Sequence, residues 1–214
     1  MLTVWGRRNS FNVQKVMWTV GELGLEHAHV DAGGAAGGLD DEKFRAMNPH
    51  GRVPVIDDDG VVVWESHAIV RYLAARHGGD GLWRADPAER SLADRWTDWM
   101  LATLQPDFMD LFWGFFRTPA AERDAHLVGD RTARCARHYL LLDRELERRD
   151  YLAGDRLTTA DIAVGSSLYR YFALAIERPP VPNVEAWYRR LAERPAYREH
   201  VMRPFEELRG RLAF

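Results

Sequence analysis

The spacing of apolar residues changes twice within residues 1–31. Leu2 to Trp5 has the alternation of a strand, and after Gly6 the apolar positions take the spacing of one helical face. These helical positions are Val13, Val16, Met17, Val20 and Leu23. Gly24 follows as a helix stop, and a second strand is predicted over residues 26–31. The chain therefore begins with a strand, a helix and a strand.

A β-hairpin is predicted further along, where two apolar runs, 53–56 and 61–64, flank an acidic turn at 57–60. Pro54 stands at the entry of the first strand, where it removes no ladder donor and where a cis peptide bond can turn the chain. With that bond cis, the N–H and C=O of Val53 point outward. We therefore expect this edge to pair with the backbone of a small extended peptide.

Ser66 begins the next predicted helix, because Ile69, Val70 and Leu73 recur at helical spacing after it. The Ser66 hydroxyl and the first free N–H groups of this helix predict an anion site, and Glu65 beside it supplies a negative charge. Together with the hairpin edge, this region suits a ligand that carries a peptide amide, a carboxylate and an ammonium group.

The turn between the first strand and the first helix, residues 7–12, consists largely of polar residues. Unpaired N–H groups and the positive end of the helix dipole favour an anion at such a turn. Ser10 and Asn12 are the candidates to bind it. The alternative interpretation is that one of them only caps the helix.

The first domain is predicted to end near residue 78, where Gly78 and Gly79 stop the helix that begins at Ser66. A short helix over 41–47 lies within it, and no strand pattern follows the linker. The predicted division is a mixed α/β domain over 1–78, a linker over 79–86 and an all-helical domain over 87–214.

Several signals subdivide the helical half. Pro106 is expected to kink or restart a helix, and Thr118-Pro119 to start a long one. Thr158 and Asp161 have the spacing of a capping box, which predicts that Asp161 is a structural residue.

The segment 111–117 is aromatic almost all round. About half of it is expected to pack in the core, and the rest to face a cleft as an apolar wall. The predicted pocket residues are Phe11, Phe112, Trp113 and Phe116.

Composition and motifs exclude several classes of protein. The chain has 214 residues and a formal net charge of −3, which gives no reason to expect nucleic acid or an acidic membrane as a partner. Cys135 is the single cysteine, so neither a disulfide framework nor a metal cluster is expected, and a reducing cytoplasm fits. The glycine-rich loop 32–38 lacks the order of a phosphate-binding motif, and we expect a mobile loop near the site. No signal peptide or membrane span is predicted.

The run from Asn48 through Arg52-Val53-Pro54 to Glu65-Ser66 resembles the glutathione-binding core of the cytosolic glutathione S-transferases. The later segments 157–162, 183–188 and 194–197 also resemble this family, so the similarity extends over the chain. It implies a thioredoxin-like α/β N-terminal domain, an all-α C-terminal domain and glutathione as co-substrate. The reaction it implies joins the glutathione thiolate to small apolar electrophiles, which bind in a pocket of the helical domain.

The resemblance also implies roles for particular residues. Ser10 matches the serine of theta-like and zeta-like members, and Asn12 matches an asparagine used in some bacterial and fungal members. Ser10 is preferred, with Asn12 left open, as the donor that stabilises the thiolate of glutathione. His50 and Arg52 are expected to reach the glycine carboxylate, and Val53, Pro54, Glu65 and Ser66 to hold the rest of the tripeptide. A homodimer through the helices that begin at Ser66 and Pro87 is expected.

Two rival functions remain at this stage. One is a binding or adaptor protein that keeps the fold without useful catalysis. The other is an enzyme that uses glutathione as a reductant for peroxides or disulfides. The absence of cysteine from residues 7–12 disfavours the disulfide reaction.

Overall fold

The computed structural model describes residues 1–212, apart from the side chain of Asp80. Its strands form one four-stranded mixed sheet in the order β2-β1-β3-β4. β1 is parallel to β2 and antiparallel to β3, which pairs antiparallel with β4. The strands are β1 Leu2–Trp5, β2 His27–Val30, β3 Val55–Asp58 and β4 Val61–Trp64. The predicted strands and hairpin are confirmed.

The hairpin turn is shorter than predicted. The first strand extends to Asp58, so that only Asp59 and Gly60 connect it to β4. Both have positive φ, 52° and 90°, which is the backbone of a two-residue turn whose twist matches the flanking strands. This strand begins at Val55, two residues later than the apolar run.

Three helices cover the sheet: α1 Phe11–Glu22, α2 Glu42–Met47 and α3 Ser66–His77. α1 and α3 pack on one face, where Val4 and Ile56 belong to their core, and Phe44 of α2 packs with Val55 on the other. α1 ends as predicted, with Gly24 in the left-handed region at φ 61° and Leu25 N–H bound to the Val20 carbonyl.

The second half of the described chain is helical. Its helices are α4 Gly79–Leu82, α5 Pro87–Trp99, α6 Gln105–Leu111, α7 Ala125–Glu145, α8 Thr159–Gly165, α9 Leu168–Ala173, α10 Pro182–Ala192 and α11 Pro195–His200. The predicted linker thus contains a short helix, α4. Within residues 1–212, no helix is both long and apolar enough to cross a membrane.

Pro106 does not break the helical path. A π-helical turn, Met100–Leu104, precedes α6, and a second one, Phe112–Arg117, follows it. Proline lacks a donor and crowds the preceding turn, and the wider π turn just before it accommodates both effects. The chain from α5 to Arg117 is therefore continuous helix.

The start predicted at Thr118-Pro119 for the long helix is wrong. α7 begins at Ala125, where the Asp124 carboxylate accepts the N–H groups of His126 and Leu127. The Thr118 hydroxyl instead donates to the Trp113 carbonyl and so closes the preceding helical segment.

α1 is buried between the two halves of the molecule. Trp18 is fully buried and meets the Tyr197 ring edge-on, with 4.7 Å between ring centroids. At the end of α1, the Glu22 carboxylate accepts two bonds, of 2.8 and 2.6 Å, from the Arg194 guanidinium. The predicted helix is confirmed, but its polar residues Gln14 and Lys15 are buried as well. The helical half covers the side of α1 that the sequence pattern leaves to solvent.

Asp161 fixes the start of α8, as the capping-box spacing predicts. Its fully buried carboxylate accepts the Leu152 N–H at 2.9 Å and the Thr158 N–H and hydroxyl at 2.8 and 3.0 Å. Burial raises the pKa of this carboxyl to about 6, and the hydrogen bonds oppose the rise.

We expect Asp161→Ala to lower the free energy of unfolding by about 1–3 kcal/mol, because it leaves two buried backbone N–H groups without acceptors. Urea denaturation measures the difference. Asp155→Ala, at an exposed position in the same connection, is the matched control and should unfold like the parent. Equal stability of the two variants would contradict the structural role of Asp161.

Candidate active site

A cleft of about 470 Å³ opens where the β1–α1 turn, the entry of the hairpin and the helical half meet. Ser10, Phe11, Asn12, Arg52 and Val53 line it from the first half of the chain. The other lining residues are Arg7, Asn9, Gly33, Gly34, Leu39, Gln105, Met109, Phe112, Trp113, Arg117, Arg170 and Leu208.

Ser10 occupies the N-cap position of α1 but makes no capping hydrogen bond with its side chain. Its backbone is extended, at φ −74° and ψ 128°, and the residue is 9% exposed. The interpretation that Ser10 serves only as a helix cap is therefore not supported. The hydroxyl remains a donor at the positive end of a buried helix.

Asn12 is held by Lys15, one turn further along α1. The Lys15 ammonium donates to Asn12 Oδ1 at 3.1 Å, to His67 Nε2 at 2.9 Å and to Gln105 Oε1. Three acceptors use the three donors of an ammonium group. Because Oδ1 of Asn12 is engaged, the amide N–H₂ is the group of this side chain left to bind a ligand.

Lys15 joins three elements at the base of the cleft. It lies on α1, while His67 lies on α3 and Gln105 on α6. Burial lowers the pKa of Lys15 well below its usual range, and the charge of Glu65 opposes this. Burial, followed by the charge of Lys15, lowers the pKa of His67 to about 2, so neutral His67 accepts at Nε2.

The peptide bond between Val53 and Pro54 is cis, as the sequence suggested. Among the hydrogen bonds of residues 1–212, none involves the N–H or the C=O of Val53. Asn48 fixes this loop by donating from Nδ2 to the Arg52 carbonyl at 2.8 Å. The backbone of Val53 therefore meets the cleft with both hydrogen-bonding groups available.

Four predicted ligand-binding residues do not line this cleft: His50, Pro54, Glu65 and Ser66. Ser66 is buried at the start of α3 and precedes His67, which binds Lys15. Glu65 has φ 70°, a conformation that costs a non-glycine residue energy and often accompanies a functional site. The exposed His50 ring lies 5.2 Å from the Trp64 ring.

Phe11, Phe112 and Trp113 form an aromatic wall of the cleft, as predicted. Phe116 does not lie at the cleft. It is 2% exposed, with its ring stacked on Phe112 at 5.2 Å and packed against Phe205 at 4.9 Å. The π-helical geometry of this segment directs Phe116 into the core, which a helical pattern alone does not reveal.

Gln105, Arg117 and Arg170 line the cleft but were not predicted from the sequence. Nor was Lys15, which is buried beside the cleft and binds Asn12 and Gln105. They lie far apart in the sequence, on or next to helices where a charged residue ordinarily faces solvent. The signal available in the sequence was indirect: Arg170 stands between Tyr169 and Tyr171 in an apolar stretch.

Cys135 lies outside the cleft, in α7. It is fully buried, and burial raises the pKa of its thiol to about 12, which leaves it unreactive. In the part of the chain that the structure describes, no three His, Cys, Asp or Glu side chains are placed to bind a metal ion.

Comparison with known proteins agrees with this geometry. The family model for the N-terminal domain of glutathione S-transferase matches residues 1–75, and the model for its C-terminal domain matches residues 104–195. Glutathione S-transferase GstB of Escherichia coli K12 is 42% identical over 206 residues, which is 95% of this chain and 99% of the relative. Glutathione S-transferase 3 of Zea mays is 30% identical, over 94% of this chain and 93% of the relative.

Solved structures are similar too. The theta class glutathione S-transferase of Xanthomonas axonopodis pv. citri, solved with glutathione bound, superposes with a TM-score of 0.90 at 45% identity. The match covers 95% of this chain and 98% of that one. A delta-class glutathione transferase of Nilaparvata lugens gives a TM-score of 0.86 at 26% identity, over 97% of this chain and 98% of that one. The thioredoxin-like sheet, the helical second half and the matches along nearly the whole chain all lead to one conclusion: this protein belongs to the glutathione S-transferase family.

Proposed function

We propose that this enzyme joins the sulfur of glutathione to small electrophiles, and that Ser10 donates the hydrogen bond that stabilises the glutathione thiolate. The observation that supports this most is the position of the Ser10 hydroxyl and its lack of a capping partner. Its hydroxyl lies at the N-terminus of a buried helix, makes no capping bond and lines the cleft.

The Val53 backbone supports the tripeptide as the ligand. An extended peptide needs one donor and one acceptor from the protein, and Val53 offers both at the cleft. In this proposal, His50 and Arg52 bind the glycine carboxylate. Glu65 and Ser66 bind the ammonium and carboxylate groups of the γ-glutamyl end, and Pro54 fixes the orientation of Val53.

Activation of glutathione requires only a modest stabilisation of its thiolate. A free thiol has a pKa of about 8.5, and lowering it by about two units requires about 2.7 kcal/mol in favour of the thiolate. A hydroxyl hydrogen bond and the N-terminus of α1 together supply an effect of this size. Ser10 acts as a donor and is not the nucleophile, because the attacking atom is sulfur.

We expect Ser10→Ala to raise the pKa of bound glutathione by about 1–2 units and to lower kcat/KM near neutral pH by about 10- to 100-fold. Asn12→Ala should have a smaller effect, since Lys15 already engages its side-chain oxygen. The pH dependence of kcat/KM and the ultraviolet absorbance of the thiolate measure both quantities.

Ser91→Ala, at an exposed position of α5, is the matched control and should behave like the parent. A larger effect from Asn12→Ala than from Ser10→Ala would transfer the role to Asn12. If neither variant moves the thiol pKa, the proposed mechanism is wrong.

Glutathione itself should stabilise the fold. At 100 times its dissociation constant a ligand adds about 2.7 kcal/mol to the free energy of unfolding, so a clear rise in melting temperature is expected. S-methylglutathione, which lacks the thiol, separates binding of the tripeptide from activation of sulfur and should stabilise Ser10→Ala as well as it does the parent. No rise with either ligand would contradict glutathione as the ligand.

We further propose a cytoplasmic homodimer with a role in detoxification, and a division into domains at residues 78 and 87. Leu92 on α5 is 39% exposed and Leu101 in the following turn is 46% exposed, so apolar side chains of this helical segment remain accessible to a partner copy. Sedimentation should give twice the chain mass of 24.6 kDa. Leu92→Arg should shift the equilibrium towards the monomer, whereas Leu127→Arg, at an exposed position on α7, should not.

A further inference from the structure

The wall of the cleft formed by the helical half carries positive charge beside its aromatic rings. Arg117 follows Phe112 and Trp113 in the π-helical segment, and Arg170 lies on α9. Both line the cleft, together with Arg7 and Arg52. The described residues that line it include no aspartate and no glutamate.

Arg170 is buried without an acidic partner. It is 2% exposed, and its guanidinium donates to the Asn9 carbonyl at 2.7 Å and to Gln14 Oε1 at 3.3 Å, both uncharged oxygens. Within residues 1–212 its Nε is buried without a hydrogen-bond acceptor. Glu207, a nearby acid whose charge acts on Arg170, accepts a 2.6 Å bond from Asn9. A buried cation with neutral partners and a spare donor favours an anion beside it.

The rings around this cation define the shape of the site. The centre of the Arg170 guanidinium is 5.1 Å from the centroid of the Phe112 ring and 5.9 Å from that of Phe11. The Arg117 guanidinium, 1% exposed, lies 3.9 Å from the Trp113 ring. Apolar rings suit a flat apolar body, and guanidinium groups bind carboxylates with paired hydrogen bonds.

Burial, followed by the charges of Arg7 and Arg117, lowers the pKa of Arg170 to about 9. Burial and the charge of Arg7 likewise lower the pKa of Arg117 to about 10. The three guanidinium groups are therefore close enough to repel one another.

We infer that the electrophile this enzyme takes as its second substrate has an apolar, aromatic-sized body and one carboxylate, and that Arg170 binds the carboxylate. This rests on the proposed function and narrows the substrate class. The sequence predicted the aromatic wall alone. The structure adds to it the buried guanidinium of Arg170, from α9.

A matched pair of electrophiles tests the inference: 4-chloro-3,5-dinitrobenzoate and 4-chloro-3,5-dinitrobenzamide. In both, the glutathione sulfur attacks the ring carbon that bears chlorine. A C–S bond forms, the C–Cl bond breaks and chloride leaves with the bonding pair. Each kcat/KM is divided by the rate constant of the uncatalysed reaction with glutathione, which removes the difference in intrinsic reactivity.

The parent enzyme should prefer the benzoate by about 10- to 100-fold after this correction, the range expected for charged hydrogen bonds to one carboxylate. Arg170→Gln should lower the preference at least several-fold, because it removes the charge that distinguishes the benzoate from the benzamide. Arg189→Gln, on the exposed side of α10, is the control and should leave the preference unchanged.

Other results would overturn the inference. Equal corrected rates for the two compounds would exclude a carboxylate site. An equal loss with both compounds would mean that Arg170 acts on Ser10 through the Asn9 carbonyl. If Arg170→Gln raised the KM for glutathione and left the preference unchanged, Arg170 would bind glutathione and not the electrophile. If the parent enzyme conjugates neither compound, the proposed function itself is wrong.

A measurement on the parent enzyme alone covers the case in which a variant does not fold. The unreactive compounds 3,5-dinitrobenzoate and 3,5-dinitrobenzamide should act as competitive inhibitors against 4-chloro-3,5-dinitrobenzoate. The benzoate should bind at least about tenfold more tightly, and its advantage should shrink as salt is added. Equal inhibition by the two compounds at low salt would contradict the inference.

Discussion

The burial of α1 on all sides is the constraint on which the rest of the structure depends. One side of the helix completes the core under the sheet, and the other meets the helical half through Trp18 and Tyr197. Gly21 allows the close approach of α11, since a Cβ there would lie 2.9 Å from that of Ala196. A helix packed from both sides cannot tilt without opening two cores, so its N-terminal turn is held in place. Ser10 and Asn12 lie on or beside that turn, and the precision of the site follows from the packing of the helix.

Enclosing α1 also encloses its polar residues, and the structure gives them partners from other elements. The Lys15 ammonium uses His67 and Gln105 as well as Asn12, while Gln14 accepts from Arg170. Leaving such groups unpaired would cost several kcal/mol, so the network opposes any relative shift of the two halves. One bond of this network, from Lys15 to Asn12, also orients the Asn12 side chain at the cleft. Stability and the geometry of the site are coupled at Lys15.

The two walls of the cleft have different chemistry. The hairpin side offers backbone groups at Val53, which suit a peptide, whereas the helical side offers aromatic rings and guanidinium groups. The turn that carries Ser10 and Asn12 lies between them. In the proposed function, a thiol and an electrophile bound on opposite walls meet at this turn, and their proximity contributes to rate independently of any change in the thiol pKa. The chain shares its family with relatives from bacteria and plants. In the proposed function, the second substrate binds on the side that carries the guanidinium groups.

The amino-acid sequence by itself determined the elements that depend on local spacing. These are the strands, the hairpin, the cap at Asp161, the glycine stops after α1 and α3 and the cis-compatible position of Pro54. It also placed Ser10, Asn12 and Val53 at one cleft through the resemblance to a family. It misplaced the start of α7, because Asp124, and not the proline, caps that helix. It also directed Phe116 to the cleft, because a π-helical turn shifts the phase of the side chains.

Only the tertiary structure decided which polar residues are buried and what they contact. Lys15 and Arg170 stand 155 positions apart, and nothing in their local sequence distinguishes them from charged residues that face water. Their roles arise because the helical half packs over α1 and removes water from both. Burial is a property of the assembled fold, and the chemistry of a charged group follows from its burial and its neighbours.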